Sequence, residues 1–170
     1  AGVNIRDYGG IGGIKTVSIR SLGAQHTGVS YDGIAVSDIQ SGQVDIGRFS
    51  LDNVEMITLS IGQSDEIFMS ARMFASAGTL NITSSRPVFD DCGTNVTARM
   101  KVGSFGTYNP SLLLEQRIGS RWALGANADW ITSKGDYPFI IHDGREPEHL
   151  LRKNSDVNTL RAEINIWGFI

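Results

Sequence analysis

The feature that most constrains this chain is a strict two-residue alternation of apolar and polar side chains running through its second half. In Asn95–Gly103 the apolar residues are Val96, Ala98, Met100 and Val102, and the polar ones are Asn95, Thr97, Arg99 and Lys101. The next segment sets Leu112, Leu114 and Ile118 against Glu115 and Arg117. Beyond Gly119-Ser120, Trp122, Leu124, Ala126, Ala128 and Trp130 alternate with Arg121, Asn127 and Asp129. A last segment sets Leu160, Ala162, Ile164 and Ile166 against Thr159, Arg161, Glu163 and Asn165. Successive side chains of a strand point to opposite faces, so each segment reads as a β-strand with one apolar face.

Segments of about 9–11 residues suit a transmembrane β-strand crossing at a tilt. The connections are read as moderate (Phe105–Pro110), minimal (Gly119-Ser120) and long (Ser133–Asp156), the pattern of short turns on one rim and longer loops on the other. Trp122, Trp130 and Tyr137 fall near strand ends, where interfacial aromatics anchor a barrel. The same alternation also describes a soluble antiparallel sheet with one face on a core. Pattern alone leaves both open.

The first half is organised differently. Lys15–Arg20 alternates and is rich in β-branched residues, which predicts a strand. His26–Tyr31 predicts a second, ended by the turn pair Asp32-Gly33. Ser50 is a natural N-cap for one helical turn over residues 51–54, followed by a strand over Met56–Ile61. A short helix is expected over Ala71–Ala77, stopped by Gly78 before a strand over Thr79–Thr83. The expected fold is therefore an α+β domain, a small mixed sheet with short helices, followed by an antiparallel β-meander. The boundary is placed between residues 1–89 and 90–170.

Composition narrows the function classes. The 170 residues are 41% hydrophobic and 19% charged, too apolar for a disordered chain. The net charge of −3 is spread without a basic run, which argues against a nucleic-acid partner, because phosphate binding needs clustered Lys and Arg. Twenty glycines against four prolines suit a turn-rich β-protein. The single cysteine, Cys92, permits no intramolecular disulfide and has no basic neighbours to lower its pKa. Ala1–Arg6 has neither a basic nor an apolar segment of a signal peptide. No apolar run approaches the ~18 residues of a membrane helix, a test that β-barrels escape.

Four motifs in the first half then fall in one order. Val17-Ser-Ile-Arg20 and Val29-Ser-Tyr-Asp-Gly-Ile-Ala-Val36 resemble the plug of TonB-dependent receptors, where an Ile-Arg-Gly strand precedes one ending in Asp-Gly-Val/Ile-Pro-Val. Leu51–Leu59 through Gly62 is similar to the family's Ile-Glu-Arg-Ile-Glu-Val-Leu-Arg-Gly segment, and Phe74–Thr83 to its Gly-Ser-Gly-Ala-Ile-Gly-Gly-Val-Ile-Asn-Ile ending. The resemblance covers roughly residues 1–85, and the alternating strands follow where a barrel would begin. Tyr8-Gly-Gly-Ile-Gly-Gly13 with Lys15 looks like a subgroup common in Bacteroidetes. There are departures. Ser21 stands where the family has the glycine after Ile-Arg, Met56 and Ile61 replace both arginines of the third motif, and Ala75, Ser76 and Ala77 replace the glycine-rich tail.

The resemblance implies a receptor in the outer membrane of a Gram-negative bacterium that actively imports a scarce or large nutrient, its plug gating a barrel of about 22 strands. It implies no cofactor and no catalytic or metal-binding residue. The cargo classes are those the family carries, cobalamin, siderophores and glycans, and nothing in the sequence selects one. The implied partners are the cargo, the outer-membrane lipid, the rest of the barrel and the TonB complex, acting through an N-terminal box expected to lie before this chain. The family's plug arginines pair with barrel glutamates as a latch, and only Arg20 carries that role over. Ser37, Asp38, Gln40, Ser41 and Gln43 occupy the place of an outward-facing apical loop, and Gln63 and Asp65 a second one. Both are candidates for hydrogen-bonding cargo. The rival reading is a soluble β-rich surface module for binding or adhesion.

Other constellations carry less. Gly9-Gly10-Ile11-Gly12-Gly13 lacks the Gly-Lys-Ser/Thr of a P-loop and is read as a turn with no strand before it. His142, Asp143, Glu146, Glu148 and His149 match no zinc or calcium spacing and are read as a solvated loop. His26 is read as structural. No serine sits in a nucleophile elbow, so no enzyme is expected.

Overall fold

The computed structural model describes residues 2–38, 40–62, 69–142 and 146–168. The chain is mostly β and divides into two compact units, Ala1–Arg86 and Pro87–Ile170.

The first unit contains two sheets. Strands β1 (Val3–Tyr8) and β2 (Ile14–Ile19) form an antiparallel pair, so a strand does precede the glycine run, against expectation. The whole of β1 is exposed, and its short alternation of Val3 and Ile5 with Asn4 and Arg6 faces no core. The run is the hairpin turn. Gly9, Gly10 and Gly12 take φ of 115°, 76° and 80°, values that Cβ-bearing residues rarely adopt. The Asp7 carboxylate accepts the Gly10 N–H at 2.9 Å and pairs with the Lys15 ammonium, which also donates to the Gly10 carbonyl.

The second sheet has the order β4-β3-β6-β5, from β3 (Thr27–Tyr31), β4 (Ile34–Val36), β5 (Val54–Ile61) and β6 (Gly78–Ser84). The β3–β6 pair is parallel and the other two pairs are antiparallel. Asp32 and Gly33 turn the chain with φ of 49° and 79°. The Asp32 carboxylate reaches across to accept both the N–H and the hydroxyl of Ser84, each at 2.7 Å. Ser50 caps its helical turn as expected, accepting the Asp52 N–H, but that turn is a 3-10 turn over Leu51–Asn53. Val17, Val29, Val44, Leu80 and Ile82 form the core, flanked by Tyr31, Phe49 and Leu59. Tyr31 and Phe49 stack at 5.3 Å between ring centroids.

The helix expected over Ala71–Ala77 is shorter. Helix α1 spans Ala71–Phe74, with the Ser70 hydroxyl accepting the Met73 N–H. Gly78 does not end it but opens β6, and the reason is steric. A Cβ there would lie 2.8 Å from Ile19 Cδ1 and 2.9 Å from the Ser60 carbonyl oxygen. Among the described residues helical content is thus limited to α1 and short 3-10 turns, less than the α+β expectation.

The second unit is an antiparallel sheet of order β12-β9-β8-β7, from β7 (Thr94–Gly103), β8 (Thr107–Ile118), β9 (Trp122–Ser133) and β12 (Val157–Gly168). Among the described residues the sheet is open and no barrel is closed. Two connections differ from expectation. The first is only residues 104–106, as short as 119–121, because Tyr108–Pro110 already belongs to β8. The long connection contains a ribbon of its own, β10 (Pro138–Ile141) with β11 (Glu148–Leu151).

Pro110 shows how β8 tolerates a residue with no N–H. The β8–β9 ladder is interrupted between Tyr108↔Thr132 and Ser111↔Asp129 without changing register, and the Asn109 side chain donates to the Trp130 carbonyl at 3.1 Å. Across all four strands, facing partners have one parity. Val96, Met100, Leu112, Leu114, Leu124, Leu160 and Ile164 share one face, and Arg99, Glu115, Asp129 and Arg161 share the other.

Because Gly78 sits against both a buried side chain and a backbone oxygen, Gly78→Ala is expected to destabilise the first unit by about 1–3 kcal/mol. Gly33→Asn, at an open left-handed position, is expected to stay within about 0.5 kcal/mol. Urea-unfolding midpoints of the two variants check this, and equal midpoints would refute the packing account.

Candidate functional site

Strand directions gather the loops of the first unit at one end. The β3 and β6 strands run parallel and start together, with Thr27 opposite Gly78. The antiparallel neighbours β4 and β5 therefore finish at that same end, at Val36 and Ile61. The segment before β3, the loop after β4, Gly62 and helix α1 meet there, while the chain leaves β6 at the opposite end beside Asp32. Of the residues expected to contact cargo, Ser37, Asp38, Gln40, Ser41 and Gln43 lie in this cluster, and Gln63 and Asp65 fall outside the described residues.

The 37–43 loop is held by its own hydrogen bonds. Asp38 Oδ1 accepts the N–H groups of Gln40 at 2.8 Å and Ser41 at 3.0 Å, and the Asp38 carbonyl accepts from Gly42. The Ser41 hydroxyl donates to the Gln43 carbonyl and accepts the Gln43 N–H. The Ser41 and Gln40 amides hold the Asp38 carboxyl below its ordinary value. At the other end of the β1–β2 pair, Lys15 and the Gly10 amide do the same for Asp7.

One tie could not be foreseen. Arg72 of α1 donates from Nη2 to the Gly42 carbonyl at 2.7 Å, fastening the loop to the helix. Beside it is a hollow lined by Gln25, His26, Thr27, Arg72, Ala75 and Ser76. His26, read as structural, is exposed in that hollow, and its structural part is the backbone carbonyl that accepts the Ala77 N–H. No local pattern marks Arg72 or Gln25, since Gln25 meets residues 72, 75 and 76 across the hollow and Arg72 meets Gly42, thirty residues before it. Arg20, the candidate latch, is exposed just past β2 with φ 51°, and among the described residues it makes no ion pair.

In the second unit the polar face is buried along the two central strands, β8 and β9, while Arg99 and Lys101 of β7 are exposed. Asp129 is 2% exposed, with Arg161 Nη2 at 2.8 Å and Nε at 3.0 Å from its Oδ2. Asn109, Ser111, Glu115, Asn127 and Ser133 are buried beside it, with Thr107 and Ser133 hydroxyls paired at 2.8 Å and Asn95 donating to Glu115. The apolar face is exposed. Leu160 and Ile164 are each 72% exposed, and Val96, Met100, Leu112 and Leu114 are exposed with them. Trp122 and Trp130 lie on this face near opposite ends of β9, a span of about 27 Å at the usual rise per residue. Tyr137 is elsewhere, beyond the end of β9, edge-on to Phe105. Glu148 and His149 point to opposite faces of β11, and Asp143 lies outside the described residues. Among those residues no three His, Cys, Asp or Glu side chains come together. The Cys92 thiol is exposed.

A depressed carboxyl stabilises the folded loop above its unfolded value and loses that effect as pH falls through the folded one. The Asp38 titration midpoint, followed by carboxyl NMR, is expected below 3.8, with the Gln40 and Ser41 amides losing exchange protection across the same acid window. A midpoint at or above 3.8 would remove Asp38 as the organiser of this loop.

Comparison with known proteins bears on the same residues. The family model described as the TonB-dependent receptor plug domain matches residues 1–72. Among solved structures, the chain is similar to one described as "Copper transporter OprC", with a TM-score of 0.61 and 17% identity over 79% of this chain. The matched share exceeds the 86 residues of the first unit, about half of the 170, so the likeness in fold includes part of the second. The chain spans about a fifth of the length of that structure. Over residues 1–72, less than half of its length, the chain is similar to the plug domain of TonB-dependent receptors.

Proposed function

We propose that this chain is the plug and the first barrel strands of a TonB-dependent receptor in the outer membrane of a Gram-negative bacterium. The first barrel strands are β7, β8, β9 and β12. The receptor imports a nutrient too large or too scarce for porins. The observation that carries this reading is the inverted sheet that follows a plug domain, with an apolar face exposed and a polar face that is buried along the central strands β8 and β9, Glu115 and Asp129 included. A soluble surface module would place these faces the other way, since its apolar side chains need a protein core. A barrel strand in lipid needs the arrangement seen here, with apolar residues outward, polar residues inward and aromatics near both ends.

In this reading the 37–43 loop forms part of the floor of the cargo cavity, with Ser37, Asp38, Gln40, Ser41 and Gln43 offering hydrogen-bonding groups. Gln63 and Asp65, outside the described residues, are proposed as further cargo contacts. The Arg72 tie limits how far that loop moves without α1. Arg20 serves as the surviving plug–barrel latch. The TonB complex acts through an N-terminal box, and the plug rearranges to open a path. Cobalamin, siderophores and glycans are the cargo classes consistent with the plug family. The copper in the name of the OprC structure belongs to that protein, and 17% identity carries its fold and not its cargo.

The test is substitution by face in the full-length receptor. Ile164→Arg places a cation on the apolar face and is expected to cost about 2–4 kcal/mol of membrane stability, seen as failed assembly into outer membranes or vesicles. Thr97→Arg, on the opposite face, is expected to assemble normally. Normal assembly of Ile164→Arg, or a soluble receptor needing no detergent, would overturn the proposal.

A further inference from the structure

The chain passes from the first unit to the second through a short segment that is bonded on both sides. The Ser85 N–H donates to the Asn53 carbonyl at 3.0 Å, within the first unit. The Val88 carbonyl accepts from Asn95 Nδ2 at 2.8 Å, within the second. Arg86 and Pro87 alone lie between these bonds, and the two compact units divide between them.

Residues 87–93 belong to no strand or helix, yet they are fastened to the sheet at several points. Arg117, next to the last residue of β8, makes most of the contacts. Its Nη2 donates to the Asp90 carbonyl and its backbone N–H to the Gly93 carbonyl, each at 2.7 Å. Its guanidinium also lies over the Phe89 ring, 5.3 Å from the centroid. Gln116 Nε2 adds a second bond to the Gly93 carbonyl, and the Gly93 N–H closes a turn on Asp90. Gly93 takes φ of 66°, and a Cβ there would lie only 3.5 Å from Arg117 Cβ. The segment therefore runs close against the end of β8.

The strand that follows has reason to need this. Among the described residues β7 pairs with β8 alone. Its ladder bonds lie across the strand, so a pull on its first residue loads them one rung at a time. The ties at Val88, Phe89, Asp90 and Gly93 stand ahead of the first rung, Thr94↔Gln116, and share a load between them. We infer that residues 87–93, gripped by Arg117, are a mechanical strap that keeps a pull on the first unit from peeling β7 off the sheet. The strap rests on the importer reading for the source of the pull, the TonB complex. It goes beyond that reading in fixing where the pull ends, at Arg86–Pro87, with the whole sheet left in register.

The experiment is force spectroscopy on the full-length receptor in a supported bilayer, pulled by a peptide tag inserted before Gly2. In the parent the extension should end once Gly2–Arg86 is drawn out. In Arg117→Ala it should run on through the strap and β7, Pro87–Gly103, which adds about 60 Å at the length of an extended residue. A second variant replaces the strap by a reducible bond. Gly93→Cys with Arg117→Cys, in a Cys92→Ser background, sets two Cβ atoms at a separation that a disulfide spans. Oxidised, it should stop where the parent stops. Reduced, it should give the longer extension, and any strain from Cys at position 93 is common to both states. Three results would overturn the strap: a parent that already extends to Gly103, an Arg117→Ala that stops with the parent, or one end point for both redox states. Retention in the bilayer is scored first. A receptor that is not retained overturns the importer reading and the strap together, whereas the extensions overturn the strap alone.

Discussion

One backbone register, carried across four strands from Thr94 to Gly168, decides what every side chain of the second unit meets. With a period of two, the register cannot assign one residue without assigning its whole strand. Here it sends Val96, Met100, Leu112, Leu114, Leu124, Leu160 and Ile164 one way and all the charged side chains of strand interiors the other. Each large apolar side chain left in water forfeits about 1.5–3 kcal/mol of burial, so a row of them needs an apolar medium. The polar face meets the opposite requirement in part by internal pairing, through Asp129 Oδ2 with Arg161, Asn109 with the Trp130 carbonyl, and Thr107 with Ser133, while Asp129 Oδ1 and Asn127 Oδ1 are buried without a partner among the described residues.

The first unit solves a conventional problem by close approach. The β1–β2 pair makes no ladder with the four-stranded sheet, so side chains such as Val17 and Ile19 hold it there. That contact demands glycine at position 78, and Gly28 plays a similar part under α1, where a Cβ would lie 2.8 Å from Met73 Sδ. Polar clamps then fix the ends. Asp32 holds the last residue of β6 at one end, and Arg72 holds the 37–43 loop at the other. A rigid sheet with its loops gathered at one end can present a polar surface while the chain departs from the opposite end.

Much of this was legible from the residues. The four long strands follow from uninterrupted alternation, and the Asp-Gly turn and the Ser50 cap from residue types that favour those conformations. The misses have separate causes. β1 escaped because six exposed residues show only two apolar positions, and no core enforces the pattern. The start of β8 escaped because Pro110 reads as a breaker, and what compensates for it is the neighbouring Asn109 side chain, which bonds across to the Trp130 carbonyl. β10 escaped because Phe139-Ile140-Ile141 is contiguous rather than alternating. The place of the 37–43 loop was readable from the motif before it. Its tie to Arg72 and the Phe105–Tyr137 corner were not, because each joins residues that only the fold brings together.

The buried Asp129–Arg161 pair bears on how the register is chosen at all. As a source of stability such a pair is weak, because desolvation offsets much of the attraction. Its force is comparative. A slip of one residue between β9 and β12 would separate Asp129 from Arg161, and a slip of β9 as a whole would turn Asp129 toward the apolar side and Trp130 away from it. In the proposed barrel each alternative leaves an unpaired charge away from water, which costs several kcal/mol more than the native pairing gains. Pro110 adds a second restriction, since a displaced ladder would put the missing N–H at a rung that Asn109 does not cover. Polar residues that contribute little to net stability thereby exclude the competing registers, and the apolar face is left to supply the affinity for its surroundings.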